Sequence, residues 1–144
     1  MRSRTRRGLS LGLLGLVLSC QQAPDLTDEL NEYERVVNEA NSEACRCPME
    51  LGYDSMVECG DALGTVTNED VQCLAGVLDG NEEIGRDYLD CASSAYRFHV
   101  QCLGLNPSCE EGENTDCTAD LAAALAACPQ LPADIRPSFF ACIE

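Results

Sequence analysis

Eleven cysteines in 144 residues carry most of the chemistry open to this chain. A thiol can be acylated, ligate a soft metal, exchange with a disulfide or simply cross-link, and its surroundings decide which. Ten of the eleven lie in residues 45–144: Cys45, Cys47, Cys59, Cys73, Cys91, Cys102, Cys109, Cys117, Cys128 and Cys142. No CxxC pair and no Cys/His knuckle occurs among them, so zinc is not the expected partner. Cys45-Arg46-Cys47 has the form of a thiol-exchange motif but lacks the βαβ context in which such motifs work. An even number of cysteines reads instead as five disulfides, with on the order of a thousand possible connectivities.

Spacing narrows that number. Cys91 and Cys102 are eleven residues apart, and so are Cys117 and Cys128. On an α-helix eleven steps turn through ~1100°, only ~20° past three full turns, and rise ~16 Å. Each pair therefore occupies one helix face with the same axial separation. If the two helices run antiparallel, Cys91 meets Cys128 and Cys102 meets Cys117, giving a hairpin with two covalent rungs. The competing arrangement closes Cys109 onto Cys117 and releases Cys102 for another helix.

Other chemistry is sparse. His99 is the single histidine, beside Phe98 on an apolar helix, and reads as a satisfied or solvent-edge imidazole rather than a general base. No GxSxG, HExxH, P-loop or GxGxxG occurs. Acidic pairs such as Glu82-Glu83 and Glu110-Glu111 are expected by chance at this acidity and suit helix starts or solvated faces. An EF-hand-like frame runs through Asp79, Asn81, Glu83, Asp87 and Asp90. It has Ile84 where a glycine must turn the loop, and Asp90 where a bidentate Glu belongs. Neither catalytic residues nor a cofactor nor a metal site is expected.

The elements that position these residues are helical. Leu26, Leu30, Tyr33, Val37, Ala40 and Ala44 recur every three or four positions, predicting a helix over 26–44 with Thr27 as its cap. Ser55-Met56-Val57-Glu58 is a capping box for a short helix over about 55–62, ending at Gly60 or Gly64. Thr67 to Asp70 caps another, bearing Val71, Leu74, Val77 and Leu78 and stopped by Gly80. The longest covers 82–104, with an apolar stripe of Ile84, Tyr88, Cys91, Ala92, Ala95, Phe98 and Cys102. Residues 105–115 form a loop, 117–128 an alanine-rich helix, and a last segment holds Phe139, Phe140 and Ile143. No stretch alternates with period two. The expected fold is all-α, a small disulfide-stapled bundle built on an antiparallel helical hairpin.

Cys20 belongs to a different context. Arg2, Arg4, Arg6 and Arg7 precede an apolar run from Leu9 to Leu18 of roughly ten residues, too short to span ~30 Å of hydrocarbon. The run closes on Leu16-Val17-Leu18-Ser19-Cys20, which resembles the bacterial lipobox, where the cysteine thiol takes a diacylglycerol and becomes the new N-terminus. Residues 1–19 then read as a signal peptide, 20–25 as the lipidated cysteine and a short tether, and 26–144 as one cysteine-rich helical domain. Gln21, rather than Asp, after the cysteine resembles the sorting signal for the outer membrane. Export also places the ten remaining cysteines where disulfides persist.

Beyond residue 19 the chain has five arginines, no lysine and 25 acids, a net charge near −20. Nucleic acid is excluded as a partner, since phosphates must be met by clustered Lys and Arg. A polybasic grip on anionic lipid is excluded too, leaving the lipid on Cys20 as the contact with the membrane.

Cys45-x-Cys47, Glu50-Leu51-Gly52-Tyr53-x-Ser55-x-x-Glu58-Cys59, Tyr88-Leu89-Asp90-Cys91 and Ala127-Cys128-Pro129 resemble cysteine-rich lipoproteins of myxobacterium-like predatory bacteria, over about two-thirds of the chain. The resemblance implies a helical disulfide domain on a lipid anchor, and no activity. The leading expectation is a non-enzymatic envelope lipoprotein displaying a rigid acidic domain for protein–protein contact. Its rival is a periplasmic or surface module for a small ligand or divalent cation, and the third reading is an enzyme with a scattered site. An exposed apolar patch favours the first, a pocket with convergent polar groups the second, and a cleft holding a desolvated carboxylate or His99 the third.

Overall fold

A computed structural model describes residues 25–105, 108–109 and 112–143. The expected signal segment, Cys20 and most of the expected tether lie outside the described residues. Six helices follow in order among the described residues: α1 (Thr27–Ala44), α2 (Met56–Leu63), α3 (Asn68–Leu78), α4 (Glu82–Gly104), α5 (Glu113–Ala127) and α6 (Arg136–Ala141). One 3₁₀ turn, Pro48–Leu51, links α1 to α2, and no strand occurs among the described residues. The fold is all-α.

Local chemistry explains most of the boundaries. Leu26, rather than Thr27, occupies the cap position of α1 and offers no side-chain bond; Asp25 just before it accepts from the Thr27 N–H at 2.9 Å and the Thr27 hydroxyl at 2.6 Å, with Thr27 the first helical residue. Ser55 caps α2 by accepting from the Glu58 N–H, and the helix runs on to Gly64, whose φ of 70° few other residues adopt. Thr67 and Asp70 form a full capping box on α3. The helix bearing Cys117 begins at Glu113, four residues earlier than the cysteine spacing suggests. Gly112, with φ of 95°, supplies the turn that lets it start there.

The core forms where α1 and α4 pack along most of their length, closed at one end by α3 and α6. Leu30, Tyr33 and Val37 from α1 share one buried cluster with Leu89 and Ala92 from α4, and Val36, Ala40 and Ser93 are buried on the same two helices. Phe139 of α6 is fully buried among the rings of Tyr33 and Tyr88, with the Tyr88 ring edge-on at 5.3 Å. Each such fully buried side chain contributes about 1.5–3 kcal/mol. Asn38 holds the loop before α3 onto α1: its Nδ2 donates to the Val66 carbonyl at 2.9 Å, and its Oδ1 accepts from the Val66 N–H at 2.8 Å.

One stripe residue is misplaced by the periodicity. Phe98 is 68% exposed, while Leu89, Ser93, His99 and Leu103 are buried in its stead. The reason is that α4 has two neighbours, α1 on one side and α5 on the other. Phe98 points toward the α5 side, where alanines are too short to cover it.

Two measurements test this arrangement. Asn38→Ala leaves both backbone groups of Val66 without their partner and should cost about 1–3 kcal/mol in thermal or denaturant unfolding. Each disulfide contributes roughly 2–4 kcal/mol against a typical 5–15 kcal/mol in total, and the charge near −20 carried beyond residue 19 opposes compaction. Full reduction in low salt should therefore lower helical circular dichroism, and added salt should restore part of it. Unchanged helicity after verified reduction would mean that burial alone holds the fold.

Candidate functional site

All ten described cysteines are paired: Cys45–Cys59, Cys47–Cys109, Cys73–Cys142, Cys91–Cys128 and Cys102–Cys117. Both rungs set by the eleven-residue spacing are present, each with a Cα separation of 5.7 Å. Cys109 does not close onto Cys117. It reaches back 62 residues to Cys47, adopting a φ of 53° on the way. The two thiols of Cys45-Arg46-Cys47 go to different partners and are buried, so the motif is a double staple rather than an exchange centre.

The EF-hand-like frame is not a loop. Asn81 occupies the cap position of α4, and Glu83, Asp87 and Asp90 lie on the helix itself. Among the described residues no three His, Cys, Asp or Glu side chains are grouped to hold an ion. Each arginine of the domain is engaged. Arg35 pairs with Glu32 and Glu39, Arg46 with Glu43, Arg97 with Glu32, and Arg86 with Glu29, while Arg136 donates to the Leu131 carbonyl. The arginines thus take up only a few of the acids, leaving the surface strongly negative.

Two local features stand out from this acidic surface. The first is α2. Cys59 is its only buried residue, and it packs on the rest of the molecule over a short stretch. Met56 and Val57 are 59% and 74% exposed, and Leu63 is partly uncovered on the same helix. Met56, Gly60 and Leu63 fall at i, i+4 and i+7, one continuous face, with open space above Gly60. Met49, in the 3₁₀ turn tied to α2, is 83% exposed. Leu105, at the end of α4, is 85% exposed, and the Cys47–Cys109 bond draws the chain after α4 toward this turn. The site lies by the C-terminus of α1, at the far end of that helix from Asp25. An 18-residue helix is ~27 Å long.

The second feature is a cleft of about 250 Å³ between α4 and α5. Phe98, His99, Asp120 and Leu121 line it, beside the Cys102–Cys117 disulfide. His99 is buried, and its Nδ1 lies 3.0 Å from the Cys117 carbonyl. A carbonyl can only accept, so Nδ1 carries the proton of the neutral ring and Nε2 keeps a lone pair. Burial holds the imidazole below its ordinary value of 6.5, and the bond to Cys117 only partly offsets this.

Sequence patterning read His99 as a satisfied or solvent-edge imidazole, and it did not single out Met49, Met56, Val57 or Leu105. The signal was present in α2: eight mostly apolar residues with a single cysteine to bury. The sequence matches no family model, and no curated protein or solved structure matches it.

Because His99 is the single histidine, its ring resonances report its titration without overlap. At ~0.15 M salt, where screening over ~8 Å removes most of the distant acidic field, the midpoint should fall below 6.5. With the folded value lowered, the unfolded chain binds the proton first. Stability should therefore be intact above 6.5 and decline as pH falls from there through the folded midpoint. A midpoint at or above 6.5 would contradict the burial assigned to this ring.

Proposed function

We propose that the chain is a non-enzymatic bacterial envelope lipoprotein. It is anchored by a diacylglycerol on Cys20 and displays a rigid acidic helical domain for contact with a protein partner. The observation that carries the reading is the exposed apolar face of α2. Single exposed apolar residues are ordinary, but a helix that turns Met56, Val57 and Leu63 outward beside Met49 is not ordinary surface. Rigidity suits such a role, since a preordered surface loses little conformational freedom on docking. Three of the five disulfides, Cys45–Cys59, Cys47–Cys109 and Cys102–Cys117, fasten the end of the molecule that carries this face.

Charge selects the partner's character. Between residues 43 and 70 there are seven acids and a single arginine, Arg46, already paired with Glu43. A basic rim around an apolar centre is the complement, and a second copy of this acidic chain is disfavoured. The tether after Cys20 is short. On the outer membrane, as Gln21 suggests, the domain stays within a few tens of ångströms of the bilayer and presents α2 away from it.

Two readouts test this. Cys20→Ala should abolish incorporation of a fatty-acid analogue and block cleavage, because both need that thiol; equal labelling of variant and wild type would sink the anchor. A photo-cross-linker at Val57 in intact envelopes should give discrete adducts, and one at Glu83 should give none. Met56→Ser combined with Val57→Ser should weaken that contact by on the order of 100-fold, the loss of about 3 kcal/mol of apolar burial. Equal cross-linking from both positions would remove the proposed docking face.

A further inference from the structure

The α4–α5 cleft has a lining of consistent chemistry that the protein-contact reading does not use. At about 250 Å³ it lies just below the ordinary range of ligand pockets, enough for one ring with a short arm. Phe98 and Leu121 provide apolar walls, and Phe98 keeps most of its ring open to solvent. Asp120 is the single charged residue in the lining. The His99 ring is anchored through Nδ1 to the Cys117 carbonyl, so the nitrogen it has left to offer is an acceptor. No arginine takes part, and each arginine of the domain is held elsewhere.

An aromatic face, a carboxylate and an acceptor nitrogen, with no side-chain donor among them, complement a cation carried on an apolar body. An anion would meet Asp120 and the field of a helical domain that carries a charge near −20 beyond residue 19. A neutral polar molecule would find acceptors but no donors to match its own acceptor atoms. We propose that this cleft is a binding site for a small organic ammonium compound. Its apolar body lies against Phe98 and Leu121, and its ammonium group donates to Asp120 and to Nε2 of His99. The Phe98 ring adds a cation–π contribution, and the acidic surface raises the local concentration of cations. Because the Cys102–Cys117 bond fixes the two walls at one end, the cleft is formed before the ligand arrives. A ligand of about ten heavy atoms in so open a site should bind with a dissociation constant on the order of millimolar.

Benzylammonium chloride is the probe, and the ring signals of His99 are the readout, at neutral pH and constant ionic strength. Titration should move these signals saturably, whereas benzyl alcohol and benzoate should move them far less and ammonium chloride not at all. Phe98→Ala and Asp120→Asn, both at the surface of their helices, should each weaken binding by about fivefold or more. Met56→Ser, on the α2 face, should leave it unchanged. Signals that do not move would overturn the site. An equal response to benzyl alcohol would overturn the ammonium class, and an equal response to ammonium chloride would reduce the effect to the diffuse field of the acidic surface.

Discussion

The position of α5 depends on two covalent bonds to α4. Of the residues α5 contributes, Cys117 is buried, Leu121 and Leu125 are half-buried, and most of its alanines face solvent. Such a helix has little apolar surface with which to choose a partner or a direction. Two disulfides sixteen-odd ångströms apart on a common face choose both, since a bond tolerates Cα separations of only about 4.4–6.8 Å. A slipped or parallel arrangement would break at least one rung. The cleft beside Phe98 follows from the same fact: two helices joined by bonds rather than interdigitated side chains leave a gap where alanine faces phenylalanine.

Charge sets the other boundary condition. With 25 acids in all and arginines engaged in mostly exposed pairs, electrostatics does little to hold the domain together. The pairs that bridge helices, Arg86 to Glu29 and Arg97 to Glu32, both link α1 to α4, where apolar burial is already greatest. The remaining acids repel one another and every other acidic surface. Disulfides offset that repulsion at the ends of the molecule, where the core is thin, and the resulting negative surface directs both proposed sites toward cationic partners.

Much of this was legible in the sequence because it is local. Capping residues at Ser55 and Thr67 mark helix starts, and the equal spacing of Cys91–Cys102 and Cys117–Cys128 encodes the hairpin. What was not legible is what depends on packing at a distance. Cys47 to Cys109 and Cys73 to Cys142 join segments more than 60 residues apart, and no periodicity relates them. Phe98 fits the helical stripe but is exposed, because a stripe shows which face is apolar and not how well a neighbour covers it. The apolar face of α2 has the same origin: its pattern is that of a buried helix, and only the fold shows that nothing among the described residues covers it.

The hairpin is most directly tested by mass spectrometry of a digest of the nonreduced protein. Two peptide pairs decide the matter. One joins Cys91 to Cys128 and the other joins Cys102 to Cys117, with Cys109 recovered on Cys47. Those products would establish that antiparallel docking of α4 and α5 is written in the cysteine spacing. Cys117 recovered on Cys109, or Cys91 on Cys73, would contradict it and require a different arrangement of the helices.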